Sequence, residues 1–264
     1  MKKTKVIIPA LGILLLSTAA SVTGTVAWFS MNAEVTANGM QVKAKAEDGI
    51  VISNEAKAEW KNTATASHNG SGVELIPTST AKGTSWYHAT STDADDAAAG
   101  QAAANYGEPL NITVTDGVGS KDANSYYLVN SFFISSSSAQ ALTKDLYVKS
   151  LTATVDTSYS GALDKAVRVL VSDASGTNAL IFNPLGGTDS YKVAGTTDVT
   201  TETGADEAEL LDNISIPAYT GTSGLEIKVF AYFEGEDEDC KSTNIKANLD
   251  AINVSIVFEA KTHA

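Results

Sequence analysis

The densest run of chemically capable side chains is Glu234-Gly235-Glu236-Asp237-Glu238-Asp239, closed by Cys240. Carboxylates clustered on a loop can hold Ca²⁺, a hard cation that takes six to eight oxygens. Glu234, Glu236, Asp237 and Asp239 are the ligands such a site would use. The spacing is not that of an EF-hand, because no Asp-x-Asp-x-Asp-Gly is present. The simpler reading is a solvated hairpin loop whose charges block edge-to-edge pairing. Asp93-Ala94-Asp95-Asp96 is a sparser version of the same feature. The three histidines, His68, His88 and His263, form no His-Glu-x-x-His pattern and sit among small or polar neighbours, as surface histidines do. Cys240 follows three acids, which disfavour its thiolate. Nothing resembles a nucleophile elbow, a phosphate loop or a dinucleotide fingerprint. The expectation is a non-enzymatic protein without a cofactor, Ca²⁺ being the one ion the pattern would accommodate.

The N-terminus says where such a protein works. Lys2, Lys3 and Lys5 precede an uncharged run from Val6 to Phe29, and Ser30-Met31-Asn32 turns polar. A positive start, an apolar stretch and small residues at its end read as an export signal. Small residues sit correctly for cleavage after Ala20 or after Ala27, and the second is preferred. The competing reading is an uncleaved anchor, since 24 apolar or small residues can span a bilayer. The expected organisation is a signal peptide over 1–27 and one domain over 28–264. The product is a secreted or cell-surface bacterial protein with no membrane contact after cleavage, and signal peptidase is its partner during export.

Charge and composition narrow the partners. The chain has 18 Lys+Arg against 31 Asp+Glu. Residues 1–27 hold three lysines and no acid, so their removal leaves 15 against 31, a net of −16. Nucleic acid and anionic lipid are poor partners for that surface. Arg168 is the only arginine, too few for phosphate clamping. A single cysteine excludes an intrachain disulfide framework, so stability must come from a core.

The periodicity is that of β-structure. Met40, Val42, Ala44 and Ala46 alternate with Gln41, Lys43, Lys45 and Glu47. Upstream, Phe29, Met31, Ala33, Val35 and Ala37 alternate with polar neighbours, but on odd numbers. A one-residue shift moves every side chain to the other face. Either Asn38-Gly39 is a bulge or turn, the simpler account, or it is a hinge between two strands with different partners. Further strands are expected at Tyr126–Ile134, Leu146–Val155, along Leu225, Ile227, Val229, Ala231 and Phe233, and along Ile252, Val254, Ile256 and Phe258. Val167–Val171 and Ala179–Phe182 read as a hairpin around Asp173–Asn178. Val73–Ile76 and Leu110–Val114 read as shorter strands. Residues 54–107 read as a long loop or insertion. Asp93–Asn105 is Ala-rich and opens with acids, which predicts a short helix, and Glu202–Leu211 adds a turn or two. The expected fold is an all-β, jelly-roll-like antiparallel β-sandwich with long loop insertions and one or two short helices.

Gly24–Ser30, followed by Val35-Thr36-Ala37-Asn38-Gly39-Met40-Gln41-Val42, resembles the start of the TasA/camelysin family of exported bacterial proteins. Their signals are handled by a dedicated signal peptidase, SipW. Lys165–Val169 and Val229–Cys240 are similar in style to segments of other exported proteins. The resemblance implies a jelly-roll-like sandwich and a role as a homopolymeric subunit of extracellular biofilm-matrix fibres, in which an N-terminal segment adds a strand to the next subunit. The chain has no zinc motif to carry the metallopeptidase activity described for camelysin-like members.

Resemblance and periodicity meet at residues 28–38. Cleavage after Ala27 frees an alternating segment with Trp28, Phe29, Met31, Ala33, Val35 and Ala37 as anchors. Such a segment can add to a sheet edge of a neighbour, with backbone hydrogen bonds for affinity and alternate side chains in pockets. Head-to-tail addition does not close and so builds filaments. The alternative is that this segment is the first strand of its own sheet, in a monomeric carbohydrate- or host-binding surface module. A secreted peptidase ranks third.

Overall fold

A computed structural model describes residues 35–37, 40–56, 59–68, 73–87, 113–115, 118–121, 124–155, 162–193, 197–220, 223–237, 239–240 and 252–263. In chain order the strands are β1 (Val35–Ala37), β2 (Met40–Glu47), β3 (Ile50–Ser53), β4 (Thr63–His68), β5 (Val73–Leu75), β6 (Ser79–Thr80), β7 (Trp86–Tyr87), β8 (Thr113–Thr115) and β9 (Val118–Lys121). They continue as β10 (Asn124–Ser136), β11 (Leu142–Val155), β12 (Val167–Asp173), β13 (Ala179–Phe182), β14 (Ser190–Val193), β15 (Thr197–Thr200), β16 (Ala208–Ile216), β17 (Leu225–Phe233) and β18 (Ile252–Lys261).

Two main sheets enclose one core. The larger has nine strands in the order β1-β5-β10-β17-β12-β13, with β3, β8 and β9 attached beside β10. The smaller runs β16-β11-β18-β2-β4. This is the expected all-β sandwich, mainly antiparallel. The departure is β2, which pairs β18 in parallel over eight residues, from Met40↔Ile252 to Glu47↔Glu259. Parallel neighbours need a long connection, and here nearly the whole chain lies between them. The alternation of β2 places Met40, Val42, Ala44 and Ala46 inward and Gln41, Lys43 and Lys45 in solvent. β18 repeats the pattern with Ile252, Val254, Ile256 and Phe258.

The larger sheet is buried on both faces along its centre. Ile227, Val229, Ala231 and Phe233 of β17 face the main core, while Phe230 and Tyr232 face outward into a second apolar cluster. The hairpins β6–β7 and β14–β15 supply Trp86, Tyr191, Val193 and Val199 to that cluster. The Trp86 and Tyr127 rings stack with centroids 4.3 Å apart. A strand covered on both sides reads as a continuous apolar run, as Val167–Val171 and Val229–Phe233 do.

Two expectations need correction. Within 54–107 the described residues are not all loop: β4 forms an edge of the smaller sheet and β5 to β7 belong to the larger sheet and its cover. β4 is held by backbone pairing to β2 and packs mainly alanine, so it carries no row of large apolar residues to announce it. Glu202–Leu211 is not helical. Gly204 takes φ 82° and its carbonyl accepts from Leu151 N–H at 2.9 Å, after which β16 pairs along β11. Pairing with an open sheet edge overrides the local preference. The described residues contain no α-helix, only a 3-10 turn at Leu163–Ala166, and none of their helices is long and apolar enough to cross a membrane. Asp93–Asn105 lies outside the described residues.

Candidate functional site

At the N-terminal edge the parity change at Asn38-Gly39 has a structural cause. β1 pairs β5 in the larger sheet, with Val35↔Leu75 and Ala37↔Val73. β2, two residues on, lies in the smaller sheet. The chain changes sheets between the two strands. Of the two accounts, a bulge or turn and two strands with different partners, the pairing matches the second in the strands' partners, and Asn38-Gly39 itself lies outside the described residues. β1 ends the strand order of its sheet, and β5 touches β10 through the single pair Ser125↔Leu75. Val35 and Ala37 are thus placed on a three-residue edge strand. Trp28, Phe29, Met31 and Ala33 lie outside the described residues.

Two carboxylates of the acidic loop are out of solvent, while Glu236 and Asp239 are half-buried. Glu234 and Asp237 are fully buried, and so is Arg168, two residues past the 3-10 turn on β12. Arg168 Nη2 donates to Asp237 Oδ2 at 2.5 Å and to Thr188 O at 2.7 Å, while Nη1 donates to Lys165 O and Val167 O. Thr188 N–H also donates to Asp237 Oδ2, at 2.7 Å, and Asp239 N–H to Oδ1, at 2.8 Å. Gly187 makes this approach possible, since a Cβ there would collide with Lys165 O and Asp237 Oδ2. The only arginine of the chain is therefore spent on the loop read from sequence as a Ca²⁺ candidate.

Glu234 sits beside this pair. Its Oε1 accepts from Glu236 N–H at 3.0 Å, and Oε2 has no partner. Burial pushes its carboxyl up to about 8, against Ser79, the Glu236 N–H and Arg168. Burial likewise raises Glu236 to about 7. The Cys240 thiol, also buried, is pushed up by burial and then by Glu234 and Asp237. Glu234, Glu236, Asp237 and Asp239 do not converge as a ligand set among the described residues. The solvated-hairpin reading is corrected at Glu234 and Asp237, whose carboxyls are buried, Asp237 against Arg168. The missed signal was Arg168 itself: a charge inside Val167–Val171, an apolar run, requires a buried partner.

Two other clusters lie on the outer side of the smaller sheet. Lys149 Nζ bridges Glu47 at 2.8 Å and Glu259 at 2.9 Å, with Asp48 beside them. The lysines hold Glu47 down at about 2, Lys149 before Lys45. At the far end, His263 Nδ1 lies 3.0 Å from both Asp145 Oδ1 and Asp212 Oδ1. The Asn213 N–H, then the nearby His263, lower Asp145. These residues are up to 118 positions apart, so no local motif could reveal them. His263 is on the surface as expected, but paired. His68 ends β4, and His88 lies outside the described residues. Beside β10, Asn54, Val129, Asn130, Ser131, Lys228 and Phe230 line a cleft of about 360 Å³, and Asn130 Nδ2 is without a partner. No family model matches the chain, and neither a curated protein nor a solved structure matches it.

Proposed function

We propose that this chain is an exported, non-enzymatic structural protein, a TasA/camelysin-like subunit that builds extracellular matrix fibres by adding its N-terminal strand to the next subunit. The observation that supports it is the change of sheet at Asn38-Gly39. Of the described residues, β1 is joined to the sandwich through a three-residue edge pairing, whereas β2 is embedded between β18 and β4. A segment attached in this way can exchange its own edge for a neighbour's at little cost to the core, because the same backbone bonds form in either subunit. The net negative charge keeps subunits apart until specific pairing occurs and disfavours nucleic acid as a partner.

The second reading is a monomeric surface module. It draws on the β1–β5 pairing within one chain and on the cleft beside β10, whose mix of amide, hydroxyl and aromatic groups suits a sugar. Deleting 28–38 separates the two. Under the fibre reading the purified deletion variant elutes as a folded monomer with a cooperative melt and forms no filaments under the electron microscope, while the mature protein does. Val35→Asp has nearly the same effect and Glu34→Lys is tolerated. An unfolded or insoluble deletion variant, or a mature protein that stays monodisperse, rejects the fibre reading.

A further inference from the structure

Three strands converge at one end of the smaller sheet and bring together a mixed set of nitrogen and oxygen donors. β11 and β16 run antiparallel there, and their register slips. Lys144 faces Ile214 and Leu146 faces Leu211, so Asp145 alone stands opposite Asp212 and Asn213. Asn213 takes up the extra residue with φ 46°. A bulge of this kind re-aims the side chains around it, and here it sets the Asp212 carboxylate beside that of Asp145. On the other side of β11, β18 ends with Lys261 opposite Asp145, and His263 follows two residues later. Lys144 Nζ donates to Thr262 Oγ1 at 2.7 Å, which holds that segment along β11.

His263 Nδ1 lies 3.0 Å from Asp145 Oδ1 and 3.0 Å from Asp212 Oδ1. The three groups present one ligand atom each, all within 4.8 Å of one another. A ring nitrogen carries at most one proton, and a single N–H cannot align with two carboxylate oxygens at once. A divalent ion meets all three atoms as ligands. Zn²⁺ binds imidazole nitrogen and carboxylate oxygen at about 2.0–2.2 Å in a tetrahedron, which sets ligand atoms about 3.3 Å apart. A small outward movement of His263 and Asp212 admits it. Both of those side chains are open to solvent, at 46% and 66%, whereas Asp145 is buried. The buried carboxylate anchors the set, and the open side gives an entry path and a fourth position for water. Asn213 N–H donates to Asp145 Oδ1 at 2.8 Å, the kind of outer-shell bond that orients a ligating carboxylate.

We propose that Asp145, Asp212 and His263 form a binding site for Zn²⁺ or a neighbouring first-row divalent ion, which pins the segment after β18 to the β11–β16 bulge. The imidazole donor favours such ions over Ca²⁺ and Mg²⁺, which take oxygen ligands. The site is separate from the 234–240 loop and from the N-terminal edge strand, and it does not depend on how subunits assemble.

The test is calorimetric. Zn²⁺ is titrated into the purified, untagged protein and into its His263→Gln and Asp212→Asn variants, which alter exposed side chains and leave the strand pairing intact. The wild type is expected to take up a single ion at this site. Changing an outer-shell partner already weakens metal binding about 10–100-fold, so each variant is expected to bind at least about ten-fold more weakly. Millimolar Ca²⁺ does not displace the ion. Zn²⁺ also raises the melting temperature of the wild type, by mass action on the folded state, and leaves that of His263→Gln unchanged. No uptake by the wild type, wild-type affinity retained in His263→Gln, or displacement by Ca²⁺ overturns the proposal.

Discussion

Two glutamates on this chain are held in opposite ways, and the contrast explains more than either site alone. Glu47 lies on the outer face of the smaller sheet between Lys45 and Lys149, in contact with water. Its charged form is favoured, and its carboxyl lies at about 2. Glu234 lies under β6 and β14, with no basic residue hydrogen-bonded to it, and its neutral form is favoured, at about 8. The same side chain stabilises one site as an anion and the other as an acid. What differs is desolvation: the available cation, Arg168, is taken by Asp237, and the second buried carboxyl must keep its proton.

The hardest way to break this contrast is at Arg168. Arg168→Met leaves Asp237 charged and dry, and is expected to cost about 3–5 kcal/mol of unfolding free energy. Pairing it with Asp237→Leu restores a large part of that loss, because two apolar groups replace a matched pair. Denaturant unfolding of the two single variants and the double variant measures the coupling. Additive losses would mean that the pair is not a unit.

Glu234 sharpens the comparison next. Its folded value is raised, so the stability it contributes is complete below the unfolded value of about 4.5 and is lost as pH rises toward about 8. Glu236 titrates in the same direction. Unfolding free energy should therefore decline from mildly acid to mildly alkaline pH, and Glu234→Gln should flatten most of that decline. A wild-type profile that is level over this window contradicts the buried acid.

Glu47 should show the reverse sign with a smaller amplitude. Its folded value is lowered, so its contribution is present above about 4.5 and disappears as pH falls toward about 2. Lys149→Met removes that acid-side slope and lowers the melting temperature slightly, as added salt does in the wild type, because exposed pairs are screened. A large, salt-independent loss would show that this network is not a surface one. The smallest effect concerns cations. With Asp237 bound to Arg168 and Glu234 buried, millimolar Ca²⁺ should raise the melting temperature no more than Mg²⁺ does. A shift specific to Ca²⁺ and abolished by Asp239→Asn would restore the calcium reading of the loop.

Much of the fold was legible as pattern. Alternation placed β2, β11, β17 and β18, because a half-buried strand must repeat every second residue, and a run rich in Tyr, Phe, Val and Ile placed β10. The hairpin β12–β13 was legible from two apolar runs around a polar connection. β4 was not, since an edge strand of Thr, Ala and Ser is held by backbone bonds that leave no trace in side-chain type. The break at Asn38-Gly39 was visible as a parity change, but parity cannot say whether the chain bulges or changes sheets. Only the partner strands decide that.

The acidic loop marks the same boundary in chemistry. Sequence by itself determined that carboxylates cluster at 234–239, that a single arginine sits in an apolar strand, and that one thiol follows the cluster. It could not join Arg168 to Asp237, 69 residues away, nor bring Thr188 and Gly187 to close the pair. Those contacts exist because β12 and β17 are neighbours in the sheet and because β6–β7 and β14–β15 cover its outer face. Whether a carboxylate is a ligand, a salt-bridge partner or a neutral acid depends on its distance from water and from cations. Sequence carries the charges, and the tertiary structure sets both distances.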